Sequence, residues 1–259
     1  MIKRYPAADT YEARLAGWEA MSTAGIGAGT GEGWTIVVPV KSLDLAKSRL
    51  APALTAGGRR ALVTAMAADV LRTCRDTPGV ARVRVVSADP RVGDLASRTG
   101  VELVDEYTGR SRASGDPLNL ALDRALADVA GPVGVVAADL PELRPQHLGR
   151  ILAAAGRHGH STVTDHRGAG TTMAFWTDTA TARVCRFGVD SAIRYRVEGG
   201  AVAIEVGDDL GAATRDVDVP GDLEALPGRA VGPATAGALL DPSVRLLAHA
   251  SGVSATMVP

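Results

Sequence analysis

The sequence predicts an α/β protein with a mostly parallel sheet flanked by helices, and three observations carry that prediction. Short Val-rich runs recur along the chain, helical apolar patterns separate them, and the ordering is strand, helix, strand from residue 35 to residue 164. That alternation places helices on both faces of a parallel sheet. At 259 residues the chain fits one large domain, and no linker composition interrupts its middle.

Taken in order, residues 1–33 read as an N-terminal extension. Asp9–Met21 has a short amphipathic pattern, and Ser22–Gly33 is a Gly-rich tether expected to be flexible. Thr35–Val40 opens the alternation as a buried strand, followed by strands at 82–87, 101–104, 132–138 and 161–164. Helices are predicted at 57–75, 90–98, 117–129 and 145–157. The pattern changes after Gly170. Thr171–Trp176 reads as a strand, Asp190–Glu198 as a helix, Ala201–Val206 as a strand and Arg215–Val219 as an extended segment. Pro220 then opens a short helix, being suited to a first helical position. The folded domain is expected over 34–240, with 241–259 a loosely attached tail.

Composition narrows the function. Apolar residues make up 46% and aromatics only 3%, so the core must be built from Ala, Val and Leu. A net charge of −1 argues against a nucleic-acid partner or an anionic membrane surface, both of which favour a broad basic face. No run approaches 18 apolar residues and the start lacks a signal-peptide core, which reads as a cytoplasmic protein. Cys74 and Cys185 lack metal spacing, and Cys74 falls in a helical pattern as a small apolar residue. The five histidines have no ligand or triad spacing. The Gly-x-Ser-x-Gly elbow and the Walker lysine are also missing, against a hydrolase or a P-loop enzyme.

The basic residues point to a polyanion. The chain has only three lysines, Lys3, Lys41 and Lys47, among 28 basic residues. Two of them lie on the loop leaving the first strand, with Arg49 beside them. Ammonium acts on phosphate as a movable point charge and guanidinium grips it with a fork. Ligands of open α/β sheets bind beyond the carboxyl ends of strands, where this loop should lie, so a polyphosphate is the expected ligand. A solvated basic loop is the alternative.

The carboxylates point to a metal. Asp139 follows the apolar run 132–138, where it either caps a turn or faces the crevice. Asp216 and Asp218, two apart in an extended segment, point to one side while Val217 packs inward. Two like charges so placed favour a cation between them, and hard oxygens suit Mg²⁺. Helix capping ahead of Pro220 is the alternative for one of them. Gly168–Thr172 reads as a close backbone approach to a small anion. Phe187–Ser191 leads into a helix start whose amides could receive a carboxylate or phosphate, with Ser191 either ligand or cap.

In order, these segments resemble one family. They are Pro39-Val40-Lys41, Ala46–Pro52, Pro117–Leu122, Ala138–Leu143, Gly168–Thr171, Arg186–Ser191, Asp216–Leu223 and Val231–Thr235. The set, spread over about residues 35–240, is similar to the 2-phospho-L-lactate or phosphoenolpyruvate guanylyltransferases of coenzyme F-420 biosynthesis. The resemblance implies a nucleotide-diphospho-sugar transferase fold of the glycosyltransferase-A type. That fold is distantly similar to molybdenum-cofactor guanylyltransferases, although Val-Pro-Val-Lys replaces their Leu-Ala-Gly-Gly opening. It implies that GMP from GTP is joined to the phosphate of a phosphorylated three-carbon acid. Phosphoenolpyruvate is the favoured acid, with 2-phospholactate and 3-phosphoglycerate as alternatives. It further implies two Mg²⁺ ions on Asp139, Asp216 and Asp218, the acid on Thr171, Gly188 and Ser191, and the GTP triphosphate on Lys41, Lys47 and Arg49. Lys47 and Asp139 are the expected catalytic pair. Asn119 is expected either to contact the nucleotide or to cap its helix. One residue more than the family spacing separates Thr171 from Gly188, making Thr172 the alternative to Thr171. A homodimer is left open. Other nucleotidyltransferases, a glycosyltransferase and a non-catalytic nucleotide-binding module remain as rivals.

Overall fold

A computed structural model of the chain describes residues 33–105, 116–178, 181–242 and 244. Apart from residues 33, 241, 242 and 244, the expected N-terminal extension and C-terminal tail lie outside the described residues.

The described strands form one seven-stranded sheet: β1 (Trp34–Pro39), β2 (Val80–Ser87), β3 (Glu102–Asp105), β4 (Val133–Val136), β5 (His160–Thr164), β6 (Thr171–Trp176) and β7 (Val202–Ala203). The order is β3-β2-β1-β4-β6-β5-β7. β1 pairs in parallel with β2 and with β4, and β2 with β3. β6 alone runs against its neighbours, antiparallel to both β4 and β5. A sheet read as parallel from strand–helix alternation therefore carries one reversed strand, because β5 and β6 are joined by a short turn rather than a crossover helix. The strand expected over 201–206 shrinks to two residues. Beyond it, the 3-10 helix Asp208–Ala213 takes the chain away from the sheet edge.

The helices are α1 (Ala56–Asp76), α2 (Arg91–Thr99), α3 (Pro117–Ala127), α4 (Pro145–Ala155), α5 (Ser191–Gly199), α6 (Pro220–Glu224) and α7 (Pro233–Leu240). Their starts are written locally. Thr55 accepts the Gly58 amide at 3.0 Å ahead of α1, and Asp116 accepts the Leu118 amide at 2.9 Å ahead of α3. Pro stands at the first helical position of α3, α4, α6 and α7.

Alternation along β1 sorts its side chains between two cores. Ile36 and Val38 face a layer containing α1, α2 and α4, while Val37 faces α3 and α5. Phe175 and Trp176, adjacent on β6, are fully buried on opposite faces, and each such side chain contributes roughly 1.5–3 kcal/mol by burial. Gly134 on β4 makes room for this packing, since a Cβ there would lie 2.5 Å from the Phe175 ring. Cys74 is fully buried in α1, and Cys185 is buried on the other face.

The topology also positions the site. From β1 the chain moves outward through β2 and β3, then returns to place β4 on the other side of β1. A crevice opens at such a switch point, beyond the carboxyl ends of the two strands.

Candidate active site

A cleft of about 720 Å³ occupies that crevice, and every residue expected to act, except Asn119, lines it: Lys41, Lys47, Arg49, Asp139, Thr171, Gly188, Ser191, Asp216 and Asp218. Lys41 is the exposed residue following β1. Leu43 anchors the loop beyond it, its amide donating to Asp89 Oδ2 at 2.9 Å.

Lys47 stands with φ 53°, a left-handed conformation rare for a residue with a Cβ. Asp190, at φ 54°, is the other non-glycine residue with positive φ among those described, and it too lines the cleft. Such strain concentrates at sites whose surroundings over-determine the backbone. From Lys47, Nζ donates to Asp139 and to Asp218 Oδ1, the latter at 3.3 Å. Arg49 Nη1 donates to Asp218 Oδ2 at 2.5 Å. Two cations expected on a triphosphate thus lie against carboxylates instead. Burial works against the Lys47 charge, but the neighbouring Asp139 and Asp218 outweigh it and raise its pKa. Burial would likewise raise the Asp218 carboxyl, yet Lys47 and Arg49 hold it below its usual value.

Asp216 differs. Burial, reinforced by the charge of Asp139, raises its pKa. Its Oδ1 is buried and accepts no hydrogen bond among the described residues. His166 Nδ1 and Arg167 Nη1 stand 3.4 and 3.8 Å from that atom. Between the two aspartates Val217 is buried, and its amide donates to Asp139 O at 3.2 Å, tying this segment to the end of β4. No group of three His, Cys, Asp or Glu residues already stands as a metal cage among the described residues. The three carboxylates are nevertheless hard oxygen donors in one cleft, two share a single ammonium, and the third has a buried oxygen that accepts no hydrogen bond among the described residues. That donor set fits a divalent cation.

Across the cleft, Thr171 and Thr172 separate cleanly. Thr172 is buried and its hydroxyl donates to Ala213 O at 2.7 Å, whereas Thr171 Oγ1 is buried and makes no hydrogen bond among the described residues. Gly188, at φ 118°, turns the chain into α5, where Ser191 is buried. Ser191 is the first helical residue and Asp190 precedes it as the cap, so the capping alternative for Ser191 does not hold. Some of the amides expected to be open are engaged: Ser191 N donates to Gly188 O, Ala192 N to Ala169 O, and Ala169 N to Asp165 Oδ1. Asn119 neither caps nor faces the cleft. Asp116 is the cap, and the Asn119 amide bridges the backbone of Phe187, accepting from N at 2.8 Å and donating to O at 3.0 Å. It braces the Gly188 loop from behind.

Sequence reasoning missed Arg167 and Asp222. Arg167 lines the cleft and donates to Asp222 Oδ1 at 2.5 Å, and Asp222 Oδ2 accepts the amides of Asp218 and Val219 at 2.8 and 2.9 Å. An acidic residue in the first turn after Pro220 was the available signal.

Residues 34–194 match a family model described as "Guanylyl transferase CofC like". The chain is 40% identical over 210 residues to a phosphoenolpyruvate guanylyltransferase of Nocardia farcinica, covering 79% of this chain and 90% of that protein. It is 38% identical over 206 residues to one of Streptomyces coelicolor, covering 78% and 94%. Among solved structures, a protein assigned as a nucleotide-diphospho-sugar transferase of Desulfovibrio desulfuricans G20 superposes with a TM-score of 0.58 at 12% identity, covering 80% and 94%. A 4-diphosphocytidyl-2C-methyl-D-erythritol synthase gives 0.50 at 14%, covering 76% and 98%. These two likenesses concern the fold.

Proposed function

The chain belongs to the CofC-like guanylyl transferase family, and from that premise we propose that it joins GMP from GTP to the phosphate of phosphoenolpyruvate. The products would be enolpyruvyl-diphospho-guanosine and diphosphate, in coenzyme F-420 biosynthesis. The observation that carries this reading is the meeting of Asp139, Asp216 and Asp218 with Lys47 and Arg49 at the carboxyl ends of β1 and β4. A nucleotide-binding module without chemistry has no need of three carboxylates in that place.

In this reading a phosphate oxygen of the acid attacks the α-phosphorus of GTP, and the bond from that phosphorus to the bridging oxygen of the β-phosphate breaks. The phosphate is already ionised at neutral pH, so no protein base is required. Positioning and charge stabilisation carry the catalysis. Divalent cations, two Mg²⁺ in our reading, would be held by Asp139, Asp216 and Asp218 and would neutralise attacking and departing oxygens. Lys47 Nζ has three donors and uses two on Asp139 and Asp218, which leaves one for the leaving diphosphate. Lys41 and Arg49 extend that cationic wall along the same loop. On the opposite wall the Thr171 hydroxyl, Ser191 and the Gly188 backbone are assigned to the carboxylate of the acid. The engaged hydroxyl of Thr172 supports Thr171 over its neighbour.

Among the described residues no helix is long and apolar enough to cross a membrane, and a cytoplasmic enzyme is the reading we adopt. The test is a competition assay in which GTP and Mg²⁺ are offered phosphoenolpyruvate, 2-phospholactate and 3-phosphoglycerate together. Diphosphate release and product mass are then followed. The expected result is preferential formation of the phosphoenolpyruvate adduct. Preference for another acid would revise the substrate, and no diphosphate release with any of them would overturn the reaction.

A further inference from the structure

The turn between β5 and β6, residues 165–170, touches both walls of the cleft. Ala169 O accepts the Ala192 amide at 3.1 Å, which pins the turn to the start of α5 beside Gly188 and Ser191. Asp165 stiffens it from within, its Oδ1 accepting Ala169 N at 3.0 Å and its amide donating to Gly170 O at 3.0 Å. Gly170 is held close to that carboxylate, since an added Cβ would lie 2.5 Å from Asp165 Oδ2.

From this turn Arg167 reaches toward the aspartates. Its Nη2 donates to Asp222 Oδ1 at 2.5 Å, and Nη1 stands 3.8 Å from Asp216 Oδ1. Because Asp222 also holds the amides of Asp218 and Val219, one carboxyl group fixes both the guanidinium and the backbone carrying Asp218. The Arg167 side chain remains 39% exposed on the cleft wall. A guanidinium has five N–H donors in a fixed fork, and Asp222 engages only one of them.

Resting on the reading above, the carboxylate of the acid lies at Thr171, Gly188 and Ser191 and its phosphate points toward the aspartates. A three-carbon acid is short, so the phosphate must fall in the interval that Arg167 spans. We propose that Arg167, oriented by Asp222, binds the phosphate of the acid substrate and selects for phosphorylated acids. The cleft's cations then divide by substrate. Lys41, Lys47 and Arg49 serve the nucleotide from the loop after β1, while Arg167 serves the acid from the β5–β6 turn. Asp222 is a positioning residue in this arrangement.

The competing account makes Arg167 a strut that merely neutralises Asp222. Steady-state kinetics on Arg167→Ala and Arg167→Lys, with each substrate varied separately, distinguishes the two. Melting temperatures and calorimetric titration of phosphoenolpyruvate accompany the kinetics. Arg167→Ala should raise the KM and weaken the binding of the acid by roughly tenfold to a hundredfold, the worth of a hydrogen bond to a charged group. The KM for GTP should not change. Arg167→Lys, which retains the charge opposite Asp222 and so preserves the fold, should recover only part of the loss. Full recovery by Lys, equal damage to both substrates, or a lower melting temperature with the acid KM intact would overturn the assignment. A wild-type protein that neither binds nor turns over a phosphorylated acid would overturn the underlying reading, and this inference with it. An active wild type with an indifferent Arg167→Ala variant would overturn this inference alone.

Discussion

Lys47→Met tests how the aspartates are held together. The substitution keeps most of the apolar stem and removes the ammonium that joins Asp139 to Asp218. Its side chain is 13% exposed, against 21% for Asp139 and 29% for Asp218. An exposed pair contributes about 0–1 kcal/mol, and breaking a fully buried one costs about 3–5 kcal/mol. These exposures fall between the two limits, and Arg49 continues to neutralise Asp218 from its other oxygen. A loss of about 2 kcal/mol is therefore expected. For a domain of this size each kcal/mol shifts the midpoint by about 2–4 °C, so the variant should melt about 4–8 °C below wild type in the presence of a chelator. Millimolar Mg²⁺ should return more of that loss to the variant than it adds to wild type. In the variant the cation meets carboxylates with no ammonium competing for them, and binding to the folded state stabilises by mass action. Differential scanning fluorimetry with and without Mg²⁺ measures both effects, and circular dichroism confirms that the variant is folded. An unchanged midpoint in chelator, or equal Mg²⁺ shifts in the two proteins, would refute the argument.

The remaining predictions concern the opposite wall and the loop anchor. Thr171→Val should lower kcat/KM for the acid with little change in melting temperature. Thr172→Val should do the reverse, costing about 1 kcal/mol of stability through the lost bond to Ala213 O while leaving the acid kinetics intact; an exchange of these phenotypes would reverse the assignment. Asp89→Asn should destabilise the protein by weakening the anchor of Leu43 and the pair with Arg91. The Arg91 hydrogen bond holds the Asp89 carboxyl well below the ordinary carboxylate range. Its stabilisation is thus present above an unfolded pKa of about 3.9 and lost as pH falls through the lower folded value. Urea midpoints of wild type and variant should differ at pH 7 and converge in strong acid, and a gap that widens on acidification would contradict this.

Much of the architecture was legible because it is written in short-range pattern. The short apolar runs place β1 to β6 to within a few residues, and Pro220 marks the start of α6. Asp216 and Asp218 were legible for the same reason, since a two-residue spacing around a buried Val fixes which way both carboxylates point. What failed was long-range. Lys47 lies 92 residues before Asp139 and 171 before Asp218, so nothing local revealed that its ammonium would settle between carboxylates. Asn119 was misread because its partner, Phe187, is 68 residues away. Arg167 carries no local signal, because its partner Asp222 lies 55 residues away. The reversal of β6 was within reach of the sequence, because the six residues between Thr164 and Thr171 are too few for a crossover helix.

That reversal bears on how such an enzyme can diversify. A strand running against its neighbours brings its first residue, Thr171, to the same rim as Asp139, which follows the outgoing end of β4. The residues assigned here to the acid therefore sit on one uninterrupted stretch of chain, from the β5–β6 turn to the start of α5. Those assigned to the nucleotide lie more than a hundred residues earlier, after β1. Mutation or recombination within the first stretch can retune which small acid is accepted while leaving the nucleotide loop untouched. Heritable change in one substrate preference is thereby uncoupled from the other.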